Sequence, residues 1–136
     1  MREILFHGKR ADNGEWVEGD VLQIKYYNKP IIECKIMPQT PVSSAYPVIP
    51  ETVGQYTGLT DRNGKRIFEG DICRFKRFND VHVGKVVFNV TTASFIMWYQ
   101  PIVGAYGEKA TQKMLLSVCD DIEVIGNIHD NPELME

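Results

Sequence analysis

The sequence predicts an all-β fold of short antiparallel strands, and three observations carry that expectation. The first is an internal echo. Asn13-Gly14, Glu18-Gly19-Asp20 and Val21-Leu22-Gln23-Ile24-Lys25-Tyr26-Tyr27-Asn28 are answered by Asn63-Gly64, Glu69-Gly70-Asp71 and Ile72-Cys73-Arg74-Phe75-Lys76-Arg77-Phe78-Asn79. From its glutamate onward each copy reads Glu-Gly-Asp, apolar, variable, polar, apolar, Lys, variable, aromatic, Asn. The second observation is the period. Leu22, Ile24 and Tyr26 alternate with Gln23, Lys25 and Tyr27, the spacing of a half-buried strand whose first set faces the core. The third is an absence: no convincing stretch of ten or more residues repeats apolar positions at helical spacing.

Residues 3–7 read as a short strand that closes on the loop 8–14. Asn13-Gly14 is a hairpin signal, because both residues tolerate the positive φ of a type I′ turn. Trp16-Val17 resumes the extended chain, Gly19-Asp20 makes a corner, and residues 21–27 form the next strand. Asn28-Lys29-Pro30 turns the chain into a strand over 31–37. Residues 38–50 hold four of the seven prolines, and a residue without a donor and with a fixed φ predicts an irregular hinge there. Gln55-Tyr56-Thr57-Gly58-Leu59 follows, then the second copy, then a hairpin of 81–89 and 94–99. Residues 101–109 form a glycine-containing loop, and 112–118 and 123–127 are the last strands. Asn131-Pro132-Glu133-Leu134 reads as an N-cap, a proline at the first helical position and a brief helical turn.

Ten or so strands with frequent turns fit SH3-like barrel units. The expected organisation is one domain over 1–136, divisible into an N-terminal β unit (1–37) and a C-terminal barrel-like unit (54–136) joined by a 38–53 connector. A hydrophobic share of 43% and a charged share of 24% are those of an ordinary globular protein. No apolar run reaches the roughly 20 residues of a membrane span, and the start lacks a signal-peptide core, so a cytoplasmic location is expected. The cysteines at 34, 73 and 119 are three in number and far apart. That arrangement predicts buried thiols rather than a disulfide framework or a zinc site.

No enzyme pattern emerges. Asp61-Arg62-Asn63-Gly64-Lys65 lacks the alternating oxygen ligands of a calcium loop and reads as a turn in which Asp61 bonds local amides. The two Glu-Gly-Asp elements recur at strand entries, where the aspartate braces a bend better than it serves acid–base chemistry. His7, His82 and His129 have no partner at ligand spacing, and neither a phosphate-cradling loop nor a nucleophile elbow is present. No catalytic residue, metal or cofactor is therefore expected.

The densest motif is Gln55-Tyr56-Thr57-Gly58-Leu59-x-Asp61-x-Asn63-Gly64-Lys65-x-Ile67-Phe68-Glu69-Gly70-Asp71-Ile72. It resembles the signature of the YopX-like family of small phage and prophage proteins. Met1-Arg2-Glu3-Ile4-x-Phe6 opens the chain in the family's manner, and Glu123-Val124-Ile125-Gly126-Asn127-Ile128-x-x-Asn131-Pro132-Glu133-Leu134 closes it so. His7 stands where the family pattern expects a basic residue. The resemblance implies a mostly β, self-associating accessory product of a temperate phage. It brings no catalytic residues with it.

Two surfaces are candidates for contact. Phe95, Ile96, Met97, Trp98 and Tyr99 are apolar on both faces of one strand, so either both faces are covered or one is an interface. Phe95, Met97, Trp98 and Tyr99 are the interface candidates, for a second copy or for a phage or host protein. Arg74, Lys76 and Arg77, interleaved with Phe75 and Phe78, offer phosphate and base contacts to nucleic acid. Against that stand a net charge of −3 and an alternation that already explains the strand as one core face and one wet face. A protein–protein assembly module is the first reading and a small β-barrel nucleic-acid binder the alternative.

Overall fold

Eleven strands run through the residues described by the computed structural model, which are 2–30, 32–39, 44–100, 112–116 and 119–135. They are β1 (Phe6–Lys9), β2 (Trp16–Lys25), β3 (Ile32–Met37), β4 (Tyr46–Val48), β5 (Gly54–Thr60) and β6 (Arg66–Phe68). After these come β7 (Asp71–Arg77), β8 (Asp80–Asn89), β9 (Ser94–Tyr99), β10 (Gln112–Leu115) and β11 (Asp120–Asn127). The helical content among the described residues is limited to short 3₁₀ turns, so the all-β expectation holds. The loop expected over 101–109 lies outside the described residues.

The chain divides into two units, Met1–Gly58 and Leu59–Glu136. The strands of the first unit run in the order β4-β3-β2-β1-β5; β5 extends past Gly58 and is followed in its sheet by β6, which belongs to the second unit, and the other sheet of that unit has the order β10-β9-β8-β7-β11. β1 pairs antiparallel with β2 and β5, β2 with β3, β3 with β4, β7 with β8 and β11, and β9 with β8 and β10. Both orders are open, and neither sheet closes into a barrel among the described residues.

In the first unit Cys34, Ile36 and Val48 form the core, with Phe6, Val17, Val21 and Val53 packed on it. The core face of β2 is the opposite of the expected one. Val21 pairs with the fully buried Ile36 and, with Val17, packs on the core, whereas Leu22 and Tyr26 are exposed; farther along, Gln23 and Lys25 are exposed as well and Ile24 is half-buried. Apolar residues occupy both parities of β2, and the register with β3 selects between them.

Gly19-Asp20 is not a corner either, because β2 runs through it. Residues Trp16 to Gly19 pair with β1, whereas Asp20 to Lys25 pair with β3, so the strand changes partner at this point. Glycine is required there by proximity: a Cβ on Gly19 would lie 2.1 Å from the Met37 carbonyl oxygen. Asn13-Gly14 also departs from the two-residue type I′ turn. The Arg10 N–H donates to the Glu15 carbonyl (2.8 Å) and the Gly14 N–H to the Arg10 carbonyl (3.0 Å), which makes a four-residue loop. Of the pair, Gly14 alone has positive φ.

The proline-rich hinge is partly regular. Pro47 lies inside β4, whose outer edge is met by the Ala11 N–H donating to the Pro47 carbonyl (3.0 Å). An edge strand tolerates proline because that residue's missing donor faces away from the ladder. Pro50 opens a 3₁₀ turn (Pro50–Thr52) closed by the Val53 N–H on the Pro50 carbonyl, 3.2 Å. The boundary between the two units falls after Gly58.

In the second unit Ile67, Cys73, Phe75, Val86, Met97, Tyr99, Leu116 and Ile122 make the core. Here Glu69-Gly70-Asp71 is a true strand entry. Gly70 takes φ 94°, and the buried Asp71 carboxylate accepts the Phe68 N–H at 2.8 Å. The Gly70 backbone is held on both sides, its N–H donating to the Val86 carbonyl and its carbonyl accepting the Ile128 N–H. The closing motif is structural as well: the Asn127 side chain accepts the His129 and Asp130 N–H groups, and Pro132 opens a 3₁₀ turn.

Candidate interaction surface

The β7–β8 hairpin displays the basic candidates. Alternation buries Cys73 and Phe75 and sends Arg74 and Lys76 outward, as the period predicts. Arg77 falls on the other parity and is partly buried, so the trio does not share one face. Both outward cations meet carboxylates of β11. Arg74 Nη1 lies 3.5 Å from Glu123 Oε2, and Lys76 Nζ lies 3.5 Å from Asp121 Oδ2. Asp121 reaches that position from an irregular stretch of β11 with φ 50°. Exposed pairs of this kind contribute at most about 1 kcal/mol, but they lower the positive field that a phosphate chain would meet.

The aromatic strand β9 answers the question its sequence raised. Met97 and Tyr99 are buried in the core of their own unit, and Phe95 packs against the same cluster. Tyr99 meets Phe75 edge-on at 5.0 Å. Trp98 points the other way and is half-buried beneath the Lys85 ammonium, 4.6 Å from the ring centroid. Coverage by its own unit accounts for Met97 and Tyr99; Trp98 and the margin of Phe95 are what this strand leaves toward solvent.

Phe78, which the sequence offered only as an aromatic interleaved with the basic residues, stands at the tip of the β7–β8 hairpin. Arg77 pairs with Asp80, so Phe78-Asn79 is a two-residue loop, and its φ values of 48° and 70° make it type I′. Such turns favour Asn-Gly; a bulky side chain in the left-handed region costs roughly 1–2 kcal/mol. The ring is nevertheless 82% exposed, with the Arg77 guanidinium 4.7 Å from its centroid. An aromatic–Asn pair between two alternating runs was the available signal. The first unit carries a related tip, where Tyr27 is fully exposed and Lys29 lies over the Tyr26 ring at 5.1 Å. The Tyr26 hydroxyl donates to Glu33 Oε2 (2.9 Å), a bond that pushes the phenol's pKa up.

A cavity of about 410 Å³ opens in the first unit, walled by Ile32, Cys34, Pro47, Val48 and Pro50, with Glu33 and Lys35 also on its lining. It forms where β4 ends: β3 continues to Ile32 along β2, while the chain after Val48 turns off into the 3₁₀ turn.

The polar groups that invite a chemical reading are committed to the fold. Asp61, 7% exposed, accepts the Asn63 and Lys65 N–H groups on Oδ1 (2.9 Å each) and the Val124 N–H on Oδ2 (3.0 Å). Burial alone would raise its pKa; the three amide donors outweigh burial and hold it below the ordinary 3.8. The local bonds are those expected of the turn, and the Val124 bond adds a tie to β11. Burial pushes the Cys73 thiol far up and the Cys119 thiol to about 11, values unsuited to a nucleophile. Among the described residues no three His, Cys, Asp or Glu side chains gather as metal ligands, and no helix is long and apolar enough to cross a membrane.

The family model described as YopX protein matches residues 5–136. The chain belongs to the YopX family. Among curated proteins none matches it. The crystal structure of protein EF1440 from Enterococcus faecalis is similar over the whole of both chains, with a TM-score of 0.54 at 22% identity. That likeness extends to the fold of this YopX-family chain.

Proposed function

We propose that this YopX-family protein is a non-enzymatic accessory protein of prophage origin, acting in the bacterial cytoplasm through protein–protein contacts that include self-association. The observation that carries the reading is Phe78, a large apolar ring kept in solvent at a backbone position that penalises it. Exposed aromatic and arginine side chains are the groups that anchor protein interfaces. The commitment of Asp61 and Asp71 to backbone amides, and the raised thiols, favour this reading over an enzymatic one.

The scaffold we infer is a pair of SH3-like units. Its support is topological: in each unit four strands meander and the fifth returns beside the first. In each, an i to i+3 turn immediately precedes that fifth strand, Val53 on Pro50 and Cys119 on Leu116. The sequence echo does not mark this duplication, since it aligns the second strand of one unit with the first of the other.

The alternative, a nucleic-acid binder using Arg74, Lys76 and Arg77, has weaker support because Glu123 and Asp121 face two of the three cations. Size-exclusion chromatography with light scattering, from low micromolar to several hundred micromolar, tests the first reading. Mass should rise with concentration; a monomer throughout would overturn self-association.

A further inference from the structure

We infer that the far end of the β8–β9 hairpin is an arm that packs against the same arm of a second copy about a two-fold axis. The inference rests on the self-association proposed above and names its surface. The arm follows from the strand lengths. β7 leaves β8 at Lys85, opposite Ile72, and one further bond joins the Gly70 N–H to the Val86 carbonyl. β10 ends at Leu115, opposite Ile96. Among the described residues 87–89 and 94–95 therefore pair as strands with each other alone, a two-stranded ribbon that runs on past both neighbours. A ribbon of two strands is marginal in water without a surface to lie against.

Its side chains suit such a surface. Phe88 and Phe95 continue the parity of the buried Val86 and Met97 and meet edge-on at 5.3 Å. Phe88 is 44% exposed, and Val90, in the turn, is 82% exposed. The polar groups of the turn are already bonded to one another. Asn89 Oδ1 accepts the Thr91 N–H at 3.0 Å, and the Thr92 and Ser94 hydroxyls share a bond of 2.8 Å. Covering the turn breaks none of these bonds. Charge then selects the occupant. No charged residue stands between Lys85 and Glu108. In a two-fold contact a charge near the axis faces its own like, and this arm has none to oppose. The other exposed tips differ: Arg77 and Asp80 flank Phe78-Asn79, and Lys25 and Lys29 stand beside Tyr26-Tyr27. An acidic or basic partner surface would find no counter-charge on the arm.

Sedimentation velocity over a concentration series tests the arm with charges of both signs. Val90→Glu and Val90→Lys each place one charge at a solvated turn, so circular dichroism and the thermal midpoint should match the parent. Each should associate at least about thirtyfold more weakly than the parent, the effect of losing an interface anchor and setting like charges together. Phe78→Gly, altered at the other hairpin tip, should associate as the parent does. A parent that associates while both Val90 variants do so equally well would overturn the arm and leave self-association standing, as would a loss confined to Phe78→Gly. Weakening by one sign of charge alone would overturn the two-fold contact, because identical arms respond to either sign. A parent that stays monomeric, or that floats with phosphatidylcholine vesicles instead of associating, would overturn both the arm contact and self-association.

Discussion

At the residue scale, Asp61 shows how one side chain joins local and distant structure. Its carboxylate closes the Asn63-Gly64 turn and then reaches a strand 63 positions away to hold the Val124 N–H. Beside it the Arg62 N–H donates to the Ile122 carbonyl at 2.8 Å. Together they occupy part of the outer edge of β11, the terminal strand of its sheet, where free backbone groups would otherwise invite pairing with another chain. An amide at position 61 would turn an NH₂ group toward at least one of the three donors. Asp61→Asn should therefore destabilise the protein by about 2–3 kcal/mol at neutral pH in urea unfolding. The pH dependence has a definite sign. A carboxylate whose folded pKa lies below 3.8 contributes stability that is complete above that value and is lost as pH falls through the folded pKa. The gap between parent and Asp61→Asn should accordingly be constant above pH of about 5 and narrow in strong acid. The local part of this role was legible, since an Asp two residues before Asn-Gly is turn chemistry. The bond to Val124 was not, because no local pattern links positions 63 apart.

At the element scale, two similar sequence runs do different work. Glu69-Gly70-Asp71 turns the chain with a left-handed glycine, whereas Glu18-Gly19-Asp20 continues a strand that is changing partner. The glycines differ in what they avoid. Gly70 avoids the strain of positive φ, and Gly19 makes room for the Met37 carbonyl. Gly19→Ala places a methyl group 2.1 Å from a backbone oxygen, and the strands must separate to admit it. The expected cost is about 3 kcal/mol or more, measured as a drop in the urea midpoint with an unchanged m-value. An unperturbed midpoint would mean that β2 and β3 can part cheaply there. The strands and their alternation could be read from period two, yet the inward face of β2 could not. Val17 and Val21 compete with Leu22 and Ile24 for the core, and only pairing with Cys34 and Ile36 resolves the competition.

At the scale of the whole molecule, charge and topology bear on function together. The chain carries a net charge of −3, and its most basic strand lies opposite Glu123 and Asp121. Fluorescence anisotropy with single-stranded oligonucleotides at low salt should register no binding; a salt-sensitive complex would revive the nucleic-acid reading. Five strands of the six-stranded order, β4-β3-β2-β1-β5, follow the same pattern of neighbours as β10-β9-β8-β7-β11, while the echoed residues fall on β2 and β7.

The sequence by itself determined the all-β class, most strand positions, the Asp61 turn and membership of the YopX family. These depend on residue period, on turn residues and on a motif read in one direction along the chain. Tertiary structure decided which face of β2 is buried, that Met97 and Tyr99 lie in the core, that Arg77 parts from Arg74 and Lys76, and that Phe78 stands exposed beside its guanidinium. The reason is physical. Period fixes which side chains share a face, but which face meets the core depends on register with strands that are distant in sequence.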